Sequence, residues 1–344
     1  DTDRSRGLGD VYKRQIIHGS FGSKDGNWFP WLKEQLENNH KKVEVPQMPV
    51  GVGNQNFENW SNVLKQLVIN ENTIIIAHSI APIFVCKYLI SNKIRVKKLV
   101  FVCGFNNYLG IDSDFDSVNE PMFVDNYEEI KNYCKDIVCF YSDNDPYVKI
   151  EVEKEFADIV SNEQHIIKNG GHINAESGYT EFADILQVLN IQSVRYAVRV
   201  FAFKDNKIAC IKYKNINKDY FDIPGGKIEN GETEIQTCIR EFKEETGMDI
   251  DDLKCIGNIQ IIYPDNNKKF IMKTYIANKV NGEPQEFEDN YSYWIPIKDL
   301  TENEKRFAIT HLLDDDMIKY LKSNNINIIF TCDSNHNVID MKII

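Results

Sequence analysis

The 344-residue chain has no apolar run that approaches the roughly 18–20 residues needed to cross a bilayer, so no membrane partner is expected. It is short of positive charge: 40 Lys and Arg against 52 Asp and Glu give a net charge of −12. This balance argues against a duplex nucleic-acid binder, because phosphate binding depends on Lys and Arg. A small phosphorylated substrate held through a metal ion is not excluded.

The chain also lacks any Cys-x-x-Cys pair, although it has eight cysteines. Most of them lie within apolar runs typical of strands or helices. We therefore expect buried, reduced thiols and a cytoplasmic location, with a disulfide framework as the weaker interpretation. The cysteines are Cys86, Cys103, Cys134, Cys139, Cys210, Cys238, Cys255 and Cys332.

Length and pattern predict two domains, since a typical domain has about 100–200 residues. Residues 1–15 have no apolar period and no apolar segment of the kind found in a signal peptide. We expect them to be a non-native leader, because they resemble translated sequencing-adapter read-through. The first domain is expected over residues 16–190 and the second over 194–344, without a Pro- or Ser-rich linker.

Short β-rich runs alternate with helix-like runs through the first half of the chain. Continuous apolar strands separated by amphipathic helices predict an α/β fold with a mostly parallel sheet covered on both faces. The expected strands are Ile16–His18, Val43–Val45, Thr73–Ala77, Lys98–Cys103, Ile137–Tyr141 and His165–Lys168. The expected helices are Trp28–Asn38, Phe57–Val68, Ala81–Ile90, Ile150–Ile159 and Glu176–Leu189.

The pattern changes to α+β from about Val194. Strands are expected over Tyr196–Phe203 and Lys207–Tyr213, joined by the turn Lys204–Asn206. A glycine-rich turn, one long helix, further strands and a last helix are expected to follow. The second domain is therefore predicted to hold a mixed sheet sandwiched by helices.

Three residues in the first half fall where predicted strands end. Ser79 lies between a predicted strand and a predicted helix, a position that exposes a serine hydroxyl at the end of a sheet. Asp145 and His172 each follow another strand. Parallel sheets form their sites at the carboxyl ends of strands, and the order Ser, Asp, His is that of α/β-hydrolases.

The chemistry that these residues support is acyl transfer to a serine. His172 would take the proton of Ser79, and Asp145 would hold the imidazole tautomer. Backbone N–H groups of Ile80 and Ser20 are the candidate oxyanion donors. The elbow carries Ala77 and Ala81 where glycines are usual. Taken singly, the serine, aspartate and histidine could be ordinary turn or strand-end residues; together, their order favours a triad.

Several segments of the first domain resemble the retinoblastoma-binding-protein-9/YdeN-like serine hydrolases. They include His18-Gly19-Ser20, the run from Trp28 to Leu32, the strand leading to Ser79 and Gly170-Gly171-His172. The resemblance covers residues 15–190. It implies a compact α/β-hydrolase fold without a large lid, the triad Ser79, Asp145 and His172, and hydrolysis of a small ester-type substrate.

The second half contains a longer motif with fixed spacing. Residues 226–248 fit G-x5-E-x7-R-E-U-x-E-E-x-G-U, where U is apolar, at all nine constrained positions. The positions are Gly226, Glu232, Arg240, Glu241, Phe242, Glu244, Glu245, Gly247 and Met248. This motif is the Nudix box, and residues 194–322 resemble the Nudix (MutT-like) hydrolases.

The spacing has a physical meaning on a helix over Thr233–Thr246. Glu241, Glu244 and Glu245 are three and four positions apart, so they share one face. Crowded carboxylates repel each other unless a cation sits among them, and their oxygens suit Mg2+ or Mn2+. Arg240 is placed to pair with Glu244 or Glu232. The opposing interpretation is an acidic, solvated helix.

Other residues support this helix and its approach to the metal. Gly225 and Gly226 form a tight turn that brings a backbone carbonyl toward the cation, and Gly247 is placed to end the helix. Cys238, Ile239 and Phe242 are expected to face the sheet.

The resemblance implies attack by water on a nucleoside diphosphate linked to another group, with the metal ions neutralising phosphate charge. It makes Glu241 a ligand and candidate base, and Glu244 and Glu245 ligands. Glu286 and Glu288 are candidates for a further carboxylate. Base stacking, or alternatively core packing, is expected of the aromatics Tyr220, Phe221, Tyr291 and Tyr293.

The leading hypothesis is a bifunctional hydrolase. In the alternatives, only the Nudix half is catalytic, or the Nudix half senses a nucleotide and regulates the serine hydrolase half. The sequence leaves the nucleotide, the ester and the oligomeric state open.

Overall fold

The structure, a computed structural model, describes residues 12–214, 221–229, 231–296 and 326–344. The chain divides into two compact units between Ile191 and Gln192.

The first unit is built on a parallel six-stranded sheet in the order β2-β1-β3-β4-β5-β6. Its strands are β1 (Lys13–Ile17), β2 (Lys42–Glu44), β3 (Thr73–His78), β4 (Lys98–Val102), β5 (Ile137–Ser142) and β6 (Glu163–Ile167). Its helices are α1 (Phe29–Asn38), α2 (Phe57–Leu64), α3 (Ala81–Asn92), α4 (Ser113–Asn119), α5 (Ile150–Val160) and α6 (Asp184–Val188). The predicted α/β class is confirmed.

Apolar side chains cover both faces of this sheet, because alternate residues of a strand point to opposite sides. Ile75 of β3 belongs to a buried cluster with Phe84 of α3 and Phe156 of α5. Its neighbour Ile76 belongs to a second buried cluster with Trp28 beside α1. Full burial of such a side chain stabilises the fold by about 1.5–3 kcal/mol. The central strands β3, β4 and β5 are therefore nearly continuous apolar runs.

One helix prediction for this unit was wrong, and one helix was missed. The predicted helix Glu176–Leu189 is represented only by the short α6, preceded by a 3-10 turn over Ala175–Ser177. Gly178, with φ of +87°, separates the two, and a left-handed residue ends a helix. Helix α4 was not predicted; it begins after Asp112, whose side chain accepts a hydrogen bond from the Phe115 N–H.

The second unit contains a mixed seven-stranded sheet in the order β11-β8-β7-β10-β9-β12-β13. The strands are β7 (Ser193–Lys204), β8 (Lys207–Tyr213), β9 (Asp249–Tyr263), β10 (Lys268–Asn281), β11 (Asn290–Pro296), β12 (Ile326–Cys332) and β13 (Val338–Ile343). Asp205 and Asn206 join β7 to β8 with positive φ, the geometry of a tight hairpin turn. The predicted α+β class is confirmed.

One helix, α7 (Glu234–Thr246), packs on this sheet within the described residues. Cys238 and Phe242 are fully buried against Val200 of β7 and Tyr275 of β10. Ile239, which was expected to face the sheet, is 45% exposed, so that expectation was wrong. The last helix predicted for this domain is not found in 326–344 and lies outside the described residues.

None of the helices that the structure describes is both long and apolar enough to cross a membrane. All eight cysteines are free thiols, and seven are buried. Cys255, on β9, is the exposed one, contrary to the expectation that the cysteines are buried.

Candidate active sites

The turn between β3 and α3 holds Ser79 in a strained backbone conformation. Its φ is +65°, which is uncommon for a residue with a side chain, and its N–H donates to the Val102 carbonyl at 2.8 Å. Ala77 and Ala81 are fully buried on either side of the turn. Alanine is therefore small enough for the elbow to form.

His172 lies between Ser79 and Asp145, as a catalytic triad requires. Its Nε2 is 3.1 Å from the Ser79 Oγ, and its Nδ1 is 2.6 Å from an Asp145 carboxylate oxygen. Ser79 comes from the end of β3, whereas Asp145 follows β5 and His172 follows β6. This arrangement lets the imidazole accept the serine proton on Nε2 while Nδ1–H donates to Asp145.

The Asp145 carboxylate is fully buried, yet it is held in its charged form by hydrogen bonds. One oxygen accepts from His172, and the other accepts from the backbone N–H groups of Tyr147 and Val148 at 2.8 and 3.0 Å. Burial opposes ionisation, but these donors outweigh it and lower the pKa of Asp145. Asp145 is thus suited to stabilise an imidazolium at His172.

His78 packs against His172 and binds its backbone, a contact that the sequence did not suggest. Its Nε2–H donates to the His172 carbonyl at 2.9 Å, and the two rings meet edge to face at 4.8 Å. Burial, together with repulsion from His172, lowers the pKa of His78 to about 3, so its ring is neutral. In the sequence, His78 is simply the last residue of an apolar strand.

The candidate oxyanion donors lie on two turns that contact each other. A Cβ added to Gly19 would lie 2.5 Å from the Ser79 Cβ, so only glycine permits this approach. The Ser20 hydroxyl donates to Asn119, and Gln55 donates to Ser20 at 3.0 Å. The backbone N–H groups of Ile80 and Ser20 donate to no acceptor among the described residues. Both remain predicted oxyanion donors.

In the second unit, α7 starts and ends as the motif requires. The Thr233 hydroxyl accepts from the Gln236 N–H, and the Gln236 side chain accepts from the Thr233 N–H. Gly247 ends the helix with φ of +74°, as predicted. The helix therefore presents the box residues at fixed positions.

Arg240 pairs with three of the box glutamates. Its Nε and Nη2 donate to the Glu232 carboxylate at 2.7 and 2.8 Å. Its Nη1 donates to Glu241 at 2.9 Å and to Glu244 at 3.1 Å. The bonds from Arg240, with smaller effects from the Glu229 N–H and the Thr237 hydroxyl, lower the pKa of Glu232 to about 2. Both pairings expected for Arg240 occur, and the guanidinium offsets the repulsion between Glu241 and Glu244.

Glu245 faces the sheet rather than Arg240. It accepts from the Tyr213 hydroxyl at 3.0 Å and from the Gly225 N–H at 2.8 Å. Burial raises the pKa of Glu245 to about 7, against the opposing effect of these donors and of Arg199. Glu241, Glu244 and Glu245 do not form a group whose donor atoms all lie within 4.8 Å in the described structure.

The glycine turn fits the expected metal site in shape and donor chemistry. A Cβ on Gly226 would lie 2.3 Å from the Glu241 carboxyl, and a Cβ on Gly225 would lie 2.2 Å from the Val198 carbonyl oxygen. The Gly226 carbonyl accepts one hydrogen bond, from the Val198 N–H at 2.9 Å, and keeps a second lone pair. Carboxylate and carbonyl oxygens are the ligands that Mg2+ and Mn2+ prefer.

The candidate further carboxylates and the candidate base-stacking aromatics differ in their contacts and exposure. Glu286 pairs with Lys214 at 2.8 Å, and Glu288 is exposed. The rings of Phe221 and Tyr293 meet edge to face at 5.9 Å.

Tyr291 lies under the Lys214 ammonium, whereas Tyr220 lies outside the described residues. None of these contacts selects a base-stacking residue, and the assignments stay predictions.

Two family models match the chain. One, described as "Serine hydrolase", matches residues 14–191, and the other, described as "NUDIX domain", matches residues 194–314. The first half is similar to YdeN of Bacillus subtilis, 26% identical over 178 residues that cover 51% of this chain and 92% of YdeN. A crystal structure of the ydeN gene product covers 52% of this chain and 97% of its own, with 24% identity and a TM-score of 0.47.

The second half is similar to named nucleotide hydrolases. An 8-oxo-dGTP diphosphatase of Buchnera aphidicola is 30% identical over 119 residues, which cover 35% of this chain and 88% of that protein. An ADP-ribose pyrophosphatase of Methanocaldococcus jannaschii is 38% identical over 85 residues, which cover 23% of this chain. The match spans only 48% of the length of that pyrophosphatase.

Proposed function

We propose that this chain, which belongs to the serine hydrolase family in its first half and to the NUDIX family in its second, is a bifunctional hydrolase with one catalytic site in each half. One site cleaves a small carboxyl ester, and the other cleaves a nucleoside diphosphate linked to another group. The proposal places the chain in the cytoplasm, with which its free thiols agree.

The ester site rests on the line of contacts from Ser79 through His172 to Asp145, at 3.1 and 2.6 Å. His172 Nε2 takes the hydroxyl proton as the Ser79 Oγ attacks the acyl carbon. The imidazolium that forms is stabilised by Asp145, and it returns the proton to the leaving alcohol. Water then attacks the acyl-enzyme by the same proton route.

The developing oxyanion would be met by the N–H groups of Ile80 and Ser20. Removal of one such donor typically costs about 2.7–4 kcal/mol of transition-state stabilisation. The hydrogen bonds that Gln55 and Asn119 make with the Ser20 side chain fix the position of this turn. Gly19 allows the turn and the elbow to touch.

A fluorophosphonate probe tests this site directly. The full-length protein should be labelled at Ser79, and Ser79→Ala should abolish labelling. Ser61→Ala is a matched control, because Ser61 is also a buried serine, and its hydroxyl donates to the Phe57 carbonyl within α2. A folded wild-type protein that stays unlabelled would refute the ester site.

The nucleotide site rests on the nine-position box and on the Arg240 contacts with Glu232, Glu241 and Glu244. Glu241, Glu244, Glu245 and the Gly226 carbonyl would hold a divalent cation, Mg2+ or Mn2+. That cation, when bound, supplies positive charge against the phosphates and activates a water. Arg240 orients Glu241 and Glu244, and Glu241 is the candidate base.

The substrate class is inferred from the relatives. One is named for 8-oxo-dGTP and another for ADP-ribose. A panel should therefore include oxidised dGTP, ADP-ribose, dinucleoside polyphosphates and nucleotide sugars, each with Mg2+. We expect hydrolysis of at least one member.

Glu241→Gln tests the residues behind that activity. The change keeps the side-chain volume but removes the charge and the basic oxygen. Turnover should fall by at least about 100-fold, in the range typical for loss of a general base. Glu234→Gln, on the first turn of α7, is the matched control and should retain activity. Full activity of Glu241→Gln would show that the site assignment is wrong.

A further inference from the structure

Glu153 is a buried carboxyl group beside the ester site that the triad does not use. It lies on α5 and is only 1% exposed. The helix is fixed there by Phe156, whose ring would lie 2.6 Å from a Cβ at Gly104. Glu153 therefore cannot reach water without movement of α5.

The surroundings of Glu153 offer it few donors. One of its oxygens accepts a long hydrogen bond of 3.4 Å from the Ser142 N–H. The other oxygen, Oε1, is buried without a hydrogen-bond partner among the described residues. Its carboxyl group lies within hydrogen-bonding reach of Asp145 and of the Cys103 thiol. An unpartnered buried carboxylate oxygen is costly.

Asp145 and Glu153 cannot both be charged cheaply, because two buried carboxylates in contact repel each other. Asp145 receives three strong donors, from His172 and from the N–H groups of Tyr147 and Val148. Glu153 receives only the long bond from the Ser142 N–H and the weak thiol donor of Cys103. The proton shared by the pair therefore belongs on Glu153, where it converts the unpartnered oxygen into a donor.

We propose that Glu153 is a positioning residue of the ester site: as a neutral carboxylic acid it donates a hydrogen bond to Asp145 and fixes that carboxylate against His172. The bond would use the remaining lone pair on the Asp145 carboxylate, whose other three already accept hydrogen bonds. The proposal rests on the proposed ester hydrolysis, since it assigns a role within that site.

Titration of Glu153 follows from the groups around it. Burial, and then repulsion from Asp145, raises the pKa of Glu153 from 4.5 to about 9. The other titratable groups that face it are Cys103, Cys139 and Tyr141. Burial raises the pKa of each of these groups too, to about 12 for Cys139. Glu153 is thus expected to ionise before they do as the pH rises.

Unfolding measured against pH tests the protonation without any activity. The unfolded chain loses the Glu153 proton near its ordinary pKa of 4.5, whereas the folded protein keeps it to about pH 9. Stability from this group is therefore fully present below the unfolded pKa and is lost as the pH rises toward the folded one. Glu153→Gln removes this loss.

Between pH 6 and 8, wild type should release one more proton on unfolding than Glu153→Gln does. Between pH 6 and 8, the unfolding equilibrium constant of wild type relative to the variant should rise about tenfold per pH unit. Glu151→Gln, on the exposed side of the same helix, should behave as wild type. Parallel pH dependences for wild type and Glu153→Gln would overturn the proposal.

Ester-site kinetics test the positioning role. Glu153→Gln keeps a donor toward Asp145, so its fluorophosphonate labelling rate should be within about threefold of wild type at pH 7.5. Its rate should also lack the decline of wild type above about pH 9. Glu153→Leu removes the donor, so its labelling should be at least about tenfold slower than that of wild type. The loss should appear in the maximal labelling rate and not in the probe concentration that gives half of it.

The outcomes separate the two proposals. Equal rates for wild type and Glu153→Leu, or a Gln variant as slow as the Leu variant, would overturn the positioning role while the ester site stands. A folded wild type that the probe does not label would instead refute the ester site, and the positioning role with it. The unfolding experiment decides the protonation of Glu153 in either case.

Discussion

Asp145→Asn is the most discriminating change to the ester site, because it alters one atom and reverses a hydrogen bond. Asp145 accepts from the N–H groups of Tyr147 and Val148 with one oxygen and from His172 with the other. The introduced amide can keep its oxygen toward the two N–H groups. Its NH2 group then faces the His172 Nδ1 and requires that nitrogen to be an acceptor. The proton of the neutral imidazole then lies on Nε2. That nitrogen can no longer accept the hydroxyl proton of Ser79.

The size of the expected rate loss follows from the free energy needed to turn the introduced amide to its opposite orientation. Turning the amide over would place its NH2 group against two backbone N–H donors and leave both unpaired. A buried unsatisfied donor costs about 1–3 kcal/mol, but the Tyr147 N–H is exposed and contributes less than the part-buried Val148 N–H, so about 2–4 kcal/mol holds the unfavourable tautomer in place. The corresponding change in a serine protease lowers the turnover number about 10^4-fold, equivalent to about 5.4 kcal/mol. We expect a loss of 10^2–10^4-fold, set by the amide orientation.

The assay is the second-order rate of fluorophosphonate labelling at pH 7.5, with thermal unfolding to verify that the variant is folded. Asp184→Asn is the control, because Asp184 is an exposed aspartate on α6 of the same unit. A folded Asp145→Asn protein that is labelled within tenfold of wild type would refute the hydrogen-bond reasoning.

Three further changes test the two sites separately. Gly19→Ala places a Cβ 2.5 Å from that of Ser79 and should slow labelling at least about 100-fold, whereas Gly26→Ala, with its nearest contact at 3.4 Å, should not. Gly225→Ala should abolish nucleotide hydrolysis and spare labelling, because φ is +145° and the new Cβ would lie 2.2 Å from the Val198 oxygen. Chelation of divalent cations should stop nucleotide hydrolysis but not labelling; loss of both, or of neither, would contradict the separate metal site.

The sequence predicted the parallel sheet well because its central strands β3, β4 and β5 are buried on both faces. Each of the six strand predictions overlaps an observed strand, and the residues that follow β3, β5 and β6 meet at one site. A short, continuous apolar run such as Thr73–Ala77 has few possible structures other than a buried strand. The spacing of the Nudix box likewise defined α7 to within one residue.

The errors arise where tertiary packing decides. Glu153 lies in the predicted helix Ile150–Ile159, and nothing in that acidic, amphipathic segment indicates that this residue is buried. Only the docking of α5 through Phe156 makes it a buried neighbour of Asp145. Ile239 shows the reverse case, since its apolar character predicted burial but α7 turns it to solvent. Neither the burial of Glu153 nor the exposure of Ile239 can be deduced from the neighbouring residues of its own helix.

Glu245 was also harder to place than its motif position indicated. Its spacing puts it near the face of Glu241, but Tyr213 and the Gly225 N–H hold it against the sheet. Those partners lie 32 and 20 residues away along the chain. Contacts of such separation follow from strand pairing, which helix periodicity does not describe.

The central claim is that one chain carries two independent hydrolytic sites. The most direct measurement is to assay fluorophosphonate labelling and Mg2+-dependent nucleotide hydrolysis on the same full-length samples of wild type, Ser79→Ala and Glu241→Gln. We predict that Ser79→Ala loses only labelling and that Glu241→Gln loses only nucleotide hydrolysis. A wild type lacking either activity, or a single substitution that removes both from a folded protein, would contradict the claim.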